Sequence, residues 1–412
     1  MSLHTPSRRR APFSGWRVLA LAIVTGALTG PGQTVGVSVF VDHFIADLGM
    51  SRSQVSTAYL IGTLIAALGL PLVGQRIDSH GVRRMMTIIG GGFGLALIGM
   101  AGVQGFVTLV LGFFAIRLLG QGSLSLVSTV AVTHWFSRRR GTALGLFSTG
   151  VSILMSLVPV GLSMVIDAYD WRIAWATAGV IIWLTVIPIA RRGMIDKPSS
   201  VGQVPDGVRD AEATYETVGT TSYTRREALH TGRFWVLAAA GAASAMLSTA
   251  LNFHQISLLG DAGLTATEAA IMFLPQTVGA AVAGIVFGYL SDKLSGRWLI
   301  PMAMSLLAIS LLLAANLTPG LTVVVYAVIL GSAGGASRSV GATLLPRWFG
   351  TGHIGAIQGT TSFIGVAASA LGPVAFSVAR DATGTYEEAA TLFALIPIAA
   401  AISAVRLKPT RA

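Results

Sequence analysis

The chain has no cysteine among its 412 residues, so disulfides and thiol chemistry are excluded. Charge is almost as scarce. Only 11% of residues are Asp, Glu, Lys or Arg, against roughly 25% in soluble domains, and a soluble fold of this size needs far more polar surface. Catalytic signatures are missing too. There is no H-E-x-x-H, no G-x-S-x-G and no pair of carboxylates inside an apolar block, so an enzyme is not expected. No Walker sequence occurs, and "GGGFG" at Gly90–Gly94 lies inside an apolar block without nucleotide-binding context, so neither ATP nor any other cofactor is expected. A sensor would need a sizeable soluble output segment, and the longest polar stretch, residues 191–232, is too short for one.

What is present is apolar sequence, 53% of the chain, in blocks of about 20 residues, each able to cross roughly 30 Å of hydrocarbon as a helix. Twelve spans follow: 16–41, 53–75, 84–103, 106–129, 141–164, 173–190, 233–258, 268–290, 298–316, 319–343, 354–378 and 386–406. The fold class is an all-α polytopic membrane protein. The polar stretch divides it into an N-terminal six-helix half (1–190), a linker (191–232) and a C-terminal six-helix half (233–412). The linker carries "DKPSS" and "RDAEATYE" with few large apolar residues, which predicts flexibility.

The basic residues set the orientation. With both termini, the linker and alternate loops on one face, that face holds 23 of the 28 Lys and Arg; the other holds Arg52, Arg172 and Arg380, and Arg117 and Arg338 fall inside spans. Basic loops stay cytoplasmic. The net charge of +11 is thereby explained by the lipid bilayer, without nucleic acid, and both termini are expected in the cytoplasm. "SRRRAPF" at Ser7–Phe13 resembles a twin-arginine export signal only faintly, since no small-residue cleavage site follows, and reads better as the anchor of span 1.

The chain repeats itself. "GQRIDSHGVRR" from Gly74 and "GYLSDKLSGRW" from Gly288 share a skeleton of Gly, three residues, Asp, then Gly-Arg or Gly-x-Arg, offset by 214. The same offset relates Asp47 to Asp261, each followed by a capping-box pattern (Ser51 to Gln54, Thr265 to Glu268) that predicts a helix start. It also relates Asp167 to Asp381, and "HWF" around Trp135 matches "RWF" around Trp348 with glycine pairs Gly141/Gly145 and Gly355/Gly359 beyond. Two halves in the same orientation imply a pseudo-twofold axis along the membrane normal and rocking around a central site.

On these residues the chain resembles the major facilitator superfamily over essentially its full length. "GQRIDSHGVRR" is similar to that family's loop signature G-x-x-x-D-[RK]-x-G-[RK]-[RK], with Ser79 in place of the first basic residue; "RLLGQG" from Arg117 resembles its span-4 arginine motif, and "DWRIAW" at Asp170–Trp175 also fits. The span-5 antiporter signature is missing from "STGVSILMSLVPVG". Within the superfamily, "GWRVLA" at Gly15, "FHQISLLGDAGLT" at Phe253 and "RDATGTYEEA" at Arg380 resemble bacterial monocarboxylate and oxalate–formate transporters. The resemblance implies that Asp78, Arg83 and Arg84, with Asp292 and Arg297 as their second copy, latch the cytoplasmic face in one conformation. It also implies an arginine in span 8, and "FLPQTVGAAVAGIVFGYL" has none.

No carboxylate falls in the middle of a span, yet Arg117 and Arg338 do. A charge at mid-bilayer costs roughly 2.5–3.5 kcal/mol or more, so two arginines without acidic partners call for carbonyls or a bound anion. Counted from the matching tryptophans, Arg117 lies 18 residues before Trp135 and Arg338 ten before Trp348, which places Arg338 about 12 Å nearer the basic face at ~1.5 Å per residue. Other candidate substrate-binding residues are Asn252 and His254 in span 7, Gln276 after Pro275 in span 8, Tyr59 in span 2, and Gln33 beside the break "GPG" at Gly30–Gly32. His254, the one well-embedded histidine, is the candidate proton-coupling group. The expected function is secondary transport of a small organic anion, a monocarboxylate such as lactate, by proton symport or anion exchange in the bacterial inner membrane by a monomer; the alternative is export of a neutral or hydrophobic compound.

Overall fold

A computed structural model describes residues 13–136, 139–207, 223–350 and 354–407, and the described residues are helical with short connections. Among the described residues, eleven helices are long and apolar enough to cross a membrane: Arg52–Leu70, Val82–Met100, Phe106–Trp135, Thr142–Ala168, Trp171–Gly193, Gly232–Asp261, Ala266–Ser291, Gly296–Ala314, Leu321–Phe349, Phe363–Thr383 and Glu387–Val405. They are spans 2 to 12. Span 1 is the twelfth, broken as "GPG" predicts: helix Gly15–Ala27 gives way to a 3-10 turn over Gly30–Gly32, then to short helical pieces ending in Val41–Leu48.

Helix starts follow local chemistry. The Ser51 hydroxyl accepts from the Gln54 N–H and the Gln54 side chain returns to the Ser51 N–H at 2.8 Å. Thr265 and Glu268 repeat that box one half later. Large apolar side chains such as Leu95, Val107, Leu184 and Leu392 point outward on spans 3, 4, 6 and 12, as expected of a lipid-facing surface.

Two features of the packing position the site. First, spans 8 and 10 approach through bare glycines: a Cβ on Gly331, Gly335 or Gly279 would lie 1.8, 2.1 or 2.2 Å from the carbonyl oxygens of Gln276, Ala280 and Val328. Glycine is required there because the backbones touch. Gly145 of span 5 makes no such contact: a Cβ there meets nothing within 4 Å.

Second, the halves differ inside spans 4 and 10. Span 10 is α-helical throughout, whereas span 4 contains a π-helical segment, Arg117–Leu124. From Gly105 to Trp135 is 30 residues and from Gly320 to Trp348 is 28. The wider π turns take up the extra residues between equivalent ends.

The bundle has two ends. The linker face carries Ser14, the linker and Arg406; the far face carries the loops at Gly49 and Gly263. On the linker face, residues 194–207 are not the loose strand that their composition predicts. The Asp196 carboxylate accepts from the Arg83 N–H at 2.7 Å, the carbonyls of Ile195 and Asp196 meet Trp135 Nε1 and His134 Nδ1 at 3.2 and 3.1 Å, and the Ser14 N–H donates to Gln203 Oε1 at 3.0 Å. Specific hydrogen bonds override a polar composition. Residues 208–222 of the linker lie outside the described residues, and Arg225–Leu229 is a short capped helix.

On the far face the halves are joined. Ser53 donates to the Asp381 carboxylate, Thr267 donates to the Asp167 carboxylate at 2.5 Å, and Ser56 pairs with Ser377 at 2.5 Å. Ser53 and Thr267 are 214 residues apart, as are Asp167 and Asp381. Each half therefore gives its span-5 or span-11 carboxylate to the first turn of the other half's span 2 or span 8.

Candidate functional site

On the linker side of these contacts the helices enclose three cavities, and Arg338 lines all of them. The central cavity, about 180 Å³, lies between spans 1, 5, 7, 8 and 10 and includes Ser156, Ser248, Asn252, Gln276 and Arg338. A second, about 450 Å³, runs between spans 5, 8 and 10 past Ser148, Thr149 and Ser152. The third, about 600 Å³, opens within the C-terminal half.

Arg338 reaches this junction because its neighbours are small. Gly331 and Gly335 fix span 10 against span 8, and the guanidinium folds back over Gly334, where an added Cβ would sit 3.4 Å from Nη1. Among the described residues, no carboxylate, carbonyl or ring pairs with Arg338, and its side chain is accessible from the cavity. A guanidinium presents five N–H donors in a planar fork suited to a carboxylate.

Asn252 and Gln276, predicted separately, are joined: Gln276 Nε2 donates to Asn252 Oδ1 at 2.7 Å. That bond uses one donor and one acceptor, leaving Gln276 Oε1 buried without a partner, as is the Ser248 hydroxyl. Three of the seven predicted substrate-binding residues, Arg338, Asn252 and Gln276, thus share one cavity.

The other four stand apart from it. Arg117 is buried; its Nη1 donates to the Gly32 carbonyl at 3.4 Å and its guanidinium lies 4.8 Å from the Tyr59 ring centre. The "GPG" break does expose a backbone carbonyl, and Arg117 takes it. Tyr59 packs at 0% exposure between Phe113 and Phe253 with its hydroxyl 2.7 Å from Thr34. Gln33 turns to Thr29 Oγ1 at 3.1 Å.

His254 is sealed in the C-terminal half. Nε2 lies 3.0 Å from the Pro373 carbonyl and 3.2 Å from Ser377, and Nδ1 lies 3.1 Å from the Tyr386 hydroxyl. A carbonyl can only accept, so Nε2 carries a proton, and Nδ1 meets the Tyr386 hydroxyl: both ring nitrogens are engaged. Among the described residues, the cavity linings contain a single ionisable side chain, Arg338.

Arg83, Arg84 and Arg297 are not among the residues that line these cavities. The side chains of Asp78 and Asp292 lie outside the described residues. Arg83 and Arg84 are exposed on the linker face, and Arg297 stacks over Trp298 at 5.2 Å. Two unpredicted arginines instead tie down helix ends: Arg172 Nη1 donates to the Ala101 and Val103 carbonyls at 2.9 and 3.0 Å, and Arg347 Nη1 to those of Ser291 and Leu294 at 2.9 and 3.2 Å. The hydroxyls of span 5 were also missed. Ser148, Ser152 and Ser156 recur every four residues in an apolar helix, the spacing of a single face, and that face lines the cavities.

Comparison with known proteins agrees with this architecture. A family model described as Major Facilitator Superfamily matches residues 21–275 and 236–412. The chain is 26% identical over 384 residues to monocarboxylate transporter 13 of Rattus norvegicus, covering 90% of this chain and 84% of that protein. It is 25% identical over 397 residues to the MFS transporter asaE of Aspergillus flavus, covering 91% and 82%. Among solved structures, a bacterial homologue of the human lysosomal transporter Spinster superposes with a TM-score of 0.71 in its inward-facing occupied form, at 17% identity and 96% coverage of both chains. Its inward-facing unoccupied form gives 0.67 at 19% identity, covering 96% of this chain and 92% of that one.

Proposed function

Because the chain belongs to the major facilitator superfamily, whose alternating-access halves need a cargo site between them, we propose that it transports a small organic anion held by Arg338. One observation carries this reading: Arg338 is the single ionisable side chain in three adjoining cavities and has no partner among the described residues. A cation that faces open cavity with five free donors is complementary to a carboxylate, and Asn252 Nδ2 and the Ser248 hydroxyl stand in the same cavity as further donors. The monocarboxylate transporter relatives support the same cargo class.

The coupling follows from the same charges. With one cation and no carboxylate among the described lining residues, the site is neutralised by its cargo, and crossing empty would carry Arg338's charge unpaired. Exchange of one anion for another avoids that cost. His254, walled in with both ring nitrogens engaged, is given no part in proton transfer. The basic linker face is assigned to the cytoplasm and the membrane to the bacterial inner membrane, and Asp78 and Asp292 with Arg83, Arg84 and Arg297 act as latches when that face closes.

Proteoliposome counterflow tests the reading. A panel of labelled carboxylates including lactate should exchange across vesicles bearing the wild type and fail with Arg338→Ala. Transport of neutral compounds alone, unaffected by Arg338→Ala, would overturn it.

A further inference from the structure

Resting on the anion reading, we propose that the cargo is amphipathic: a carboxylate whose apolar body enters the side cavity of the C-terminal half while its head meets Arg338.

The side cavity lies between spans 7, 9, 10 and 11. At about 600 Å³ it is over three times the central one and falls within the roughly 300–1,000 Å³ of small-molecule sites. Its walls are Leu237, Ile300, Met304, Leu345 and Pro346, with alanines and glycines between. Polar groups are few: Arg338 and Ser337 from span 10, Gln358 and Thr361 from span 11. The Ser337 hydroxyl is buried without a partner.

A three-carbon acid bound at Arg338 fits the central cavity and leaves this chamber unused. Water is a poor occupant of apolar walls because it finds few of the hydrogen bonds it needs. An alkyl or aryl body is a good one. Each buried methylene adds roughly fourfold to affinity, so the chamber should discriminate by apolar length where the guanidinium alone cannot.

Two glycines hold the space open without being needed for packing. Gly241 on span 7 and Gly341 on span 10 both line the chamber, and a Cβ built on either meets nothing within 4 Å. They contrast with Gly331 and Gly335, which press on the span-8 backbone. A large side chain at 241 or 341 therefore projects into the chamber without displacing a helix.

The test is equilibrium binding of acetate, butanoate, hexanoate and octanoate to the full chain in nanodiscs, with binding to empty discs subtracted. Wild-type affinity should climb severalfold per added methylene up to the length of the chamber. Gly241→Phe should flatten that climb for hexanoate and octanoate, leaving acetate unchanged, and Gly341→Phe should do the same independently; a melting curve verifies that each variant is folded. Arg338→Ala should lose the whole series. Affinity that does not rise with chain length, or a rise unchanged in both folded glycine variants, overturns the amphipathic cargo. If acetate and octanoate bind alike and both are lost in Arg338→Ala, small-anion transport survives without the side chamber. If the series binds to Arg338→Ala as to the wild type, the anion reading itself fails.

Discussion

In the N-terminal half the embedded guanidinium, Arg117, lies against the Tyr59 ring and the Gly32 carbonyl. In the C-terminal half the corresponding helix leaves its guanidinium, Arg338, facing three cavities without a partner among the described residues. The two halves share landmarks at one 214-residue offset, so the difference lies in what each span does with its backbone. Span 4 carries a π-helical stretch beginning at Arg117, which turns that side chain toward the broken span 1. Span 10 keeps α geometry and strips its contact face to Gly331 and Gly335, so span 8 comes close and Arg338 is left at the edge of the gap. One arginine is packed into the scaffold and the other is left facing open cavity. The far-face rim did not diverge, because Ser53–Asp381 and Thr267–Asp167 remain mirror contacts.

Substituting the two arginines in parallel is the most direct way to break this comparison. Losing a charge-assisted hydrogen bond costs about 1.5–3 kcal/mol, so Arg338→Ala should depress anion counterflow about 10- to 150-fold with an unchanged melting temperature. Arg117→Ala should do the reverse. It empties a buried volume and strips the Gly32 carbonyl of its donor, so thermal stability falls by several degrees, while transport per folded molecule stays within about threefold. Equal transport losses from the two variants would mean that both guanidinium groups handle cargo.

Next in size is the glycine contrast within the C-terminal half. Gly331→Ala and Gly335→Ala drive a methyl into a span-8 carbonyl, and overpacking of this kind costs about 1–3 kcal/mol. Gly241→Ala and Gly341→Ala meet open space, and replacing a helical glycine there gains up to about 1 kcal/mol. Melting temperatures of the four purified variants should split into two pairs of opposite sign. A uniform response would show that the close approach of spans 8 and 10 is not what fixes Arg338.

The fold was legible from composition and spacing: apolar blocks gave the spans, "GPG" the break in span 1, and the 214-residue offset the repeat. Of the site, the cation was legible because a charge inside an apolar block is conspicuous. Its lining was only partly so. Ser148, Ser152 and Ser156 carry a periodic signal that was overlooked, whereas the burial of His254 and Tyr59 was invisible, since one sequence position cannot reveal which neighbours close around it. The π segment was hidden as well. It surfaces as a change in residue count between Gly105–Trp135 and Gly320–Trp348, which acquires meaning only once both helix ends are located.

The smallest effect is expected at the rim, where the comparison turns on sameness. Asp167 and Asp381 are both exposed, so each hydroxyl–carboxylate contact is screened by water and contributes under about 1 kcal/mol. Each also places a carboxylate at the first turn of the opposite half's helix, a favourable site for negative charge. Asp167→Asn and Asp381→Asn should therefore each loosen the far-face closure less than about fivefold, and by equal amounts, with the double variant giving roughly the product. The absence of native cysteine makes this measurable. A single Ser156→Cys in the central cavity can be labelled by a membrane-impermeant maleimide applied from the far face, and its rate reports how often that face opens. If one aspartate accounts for nearly all the change, the rim has diverged as the core has, and the two contacts do not act as a matched pair.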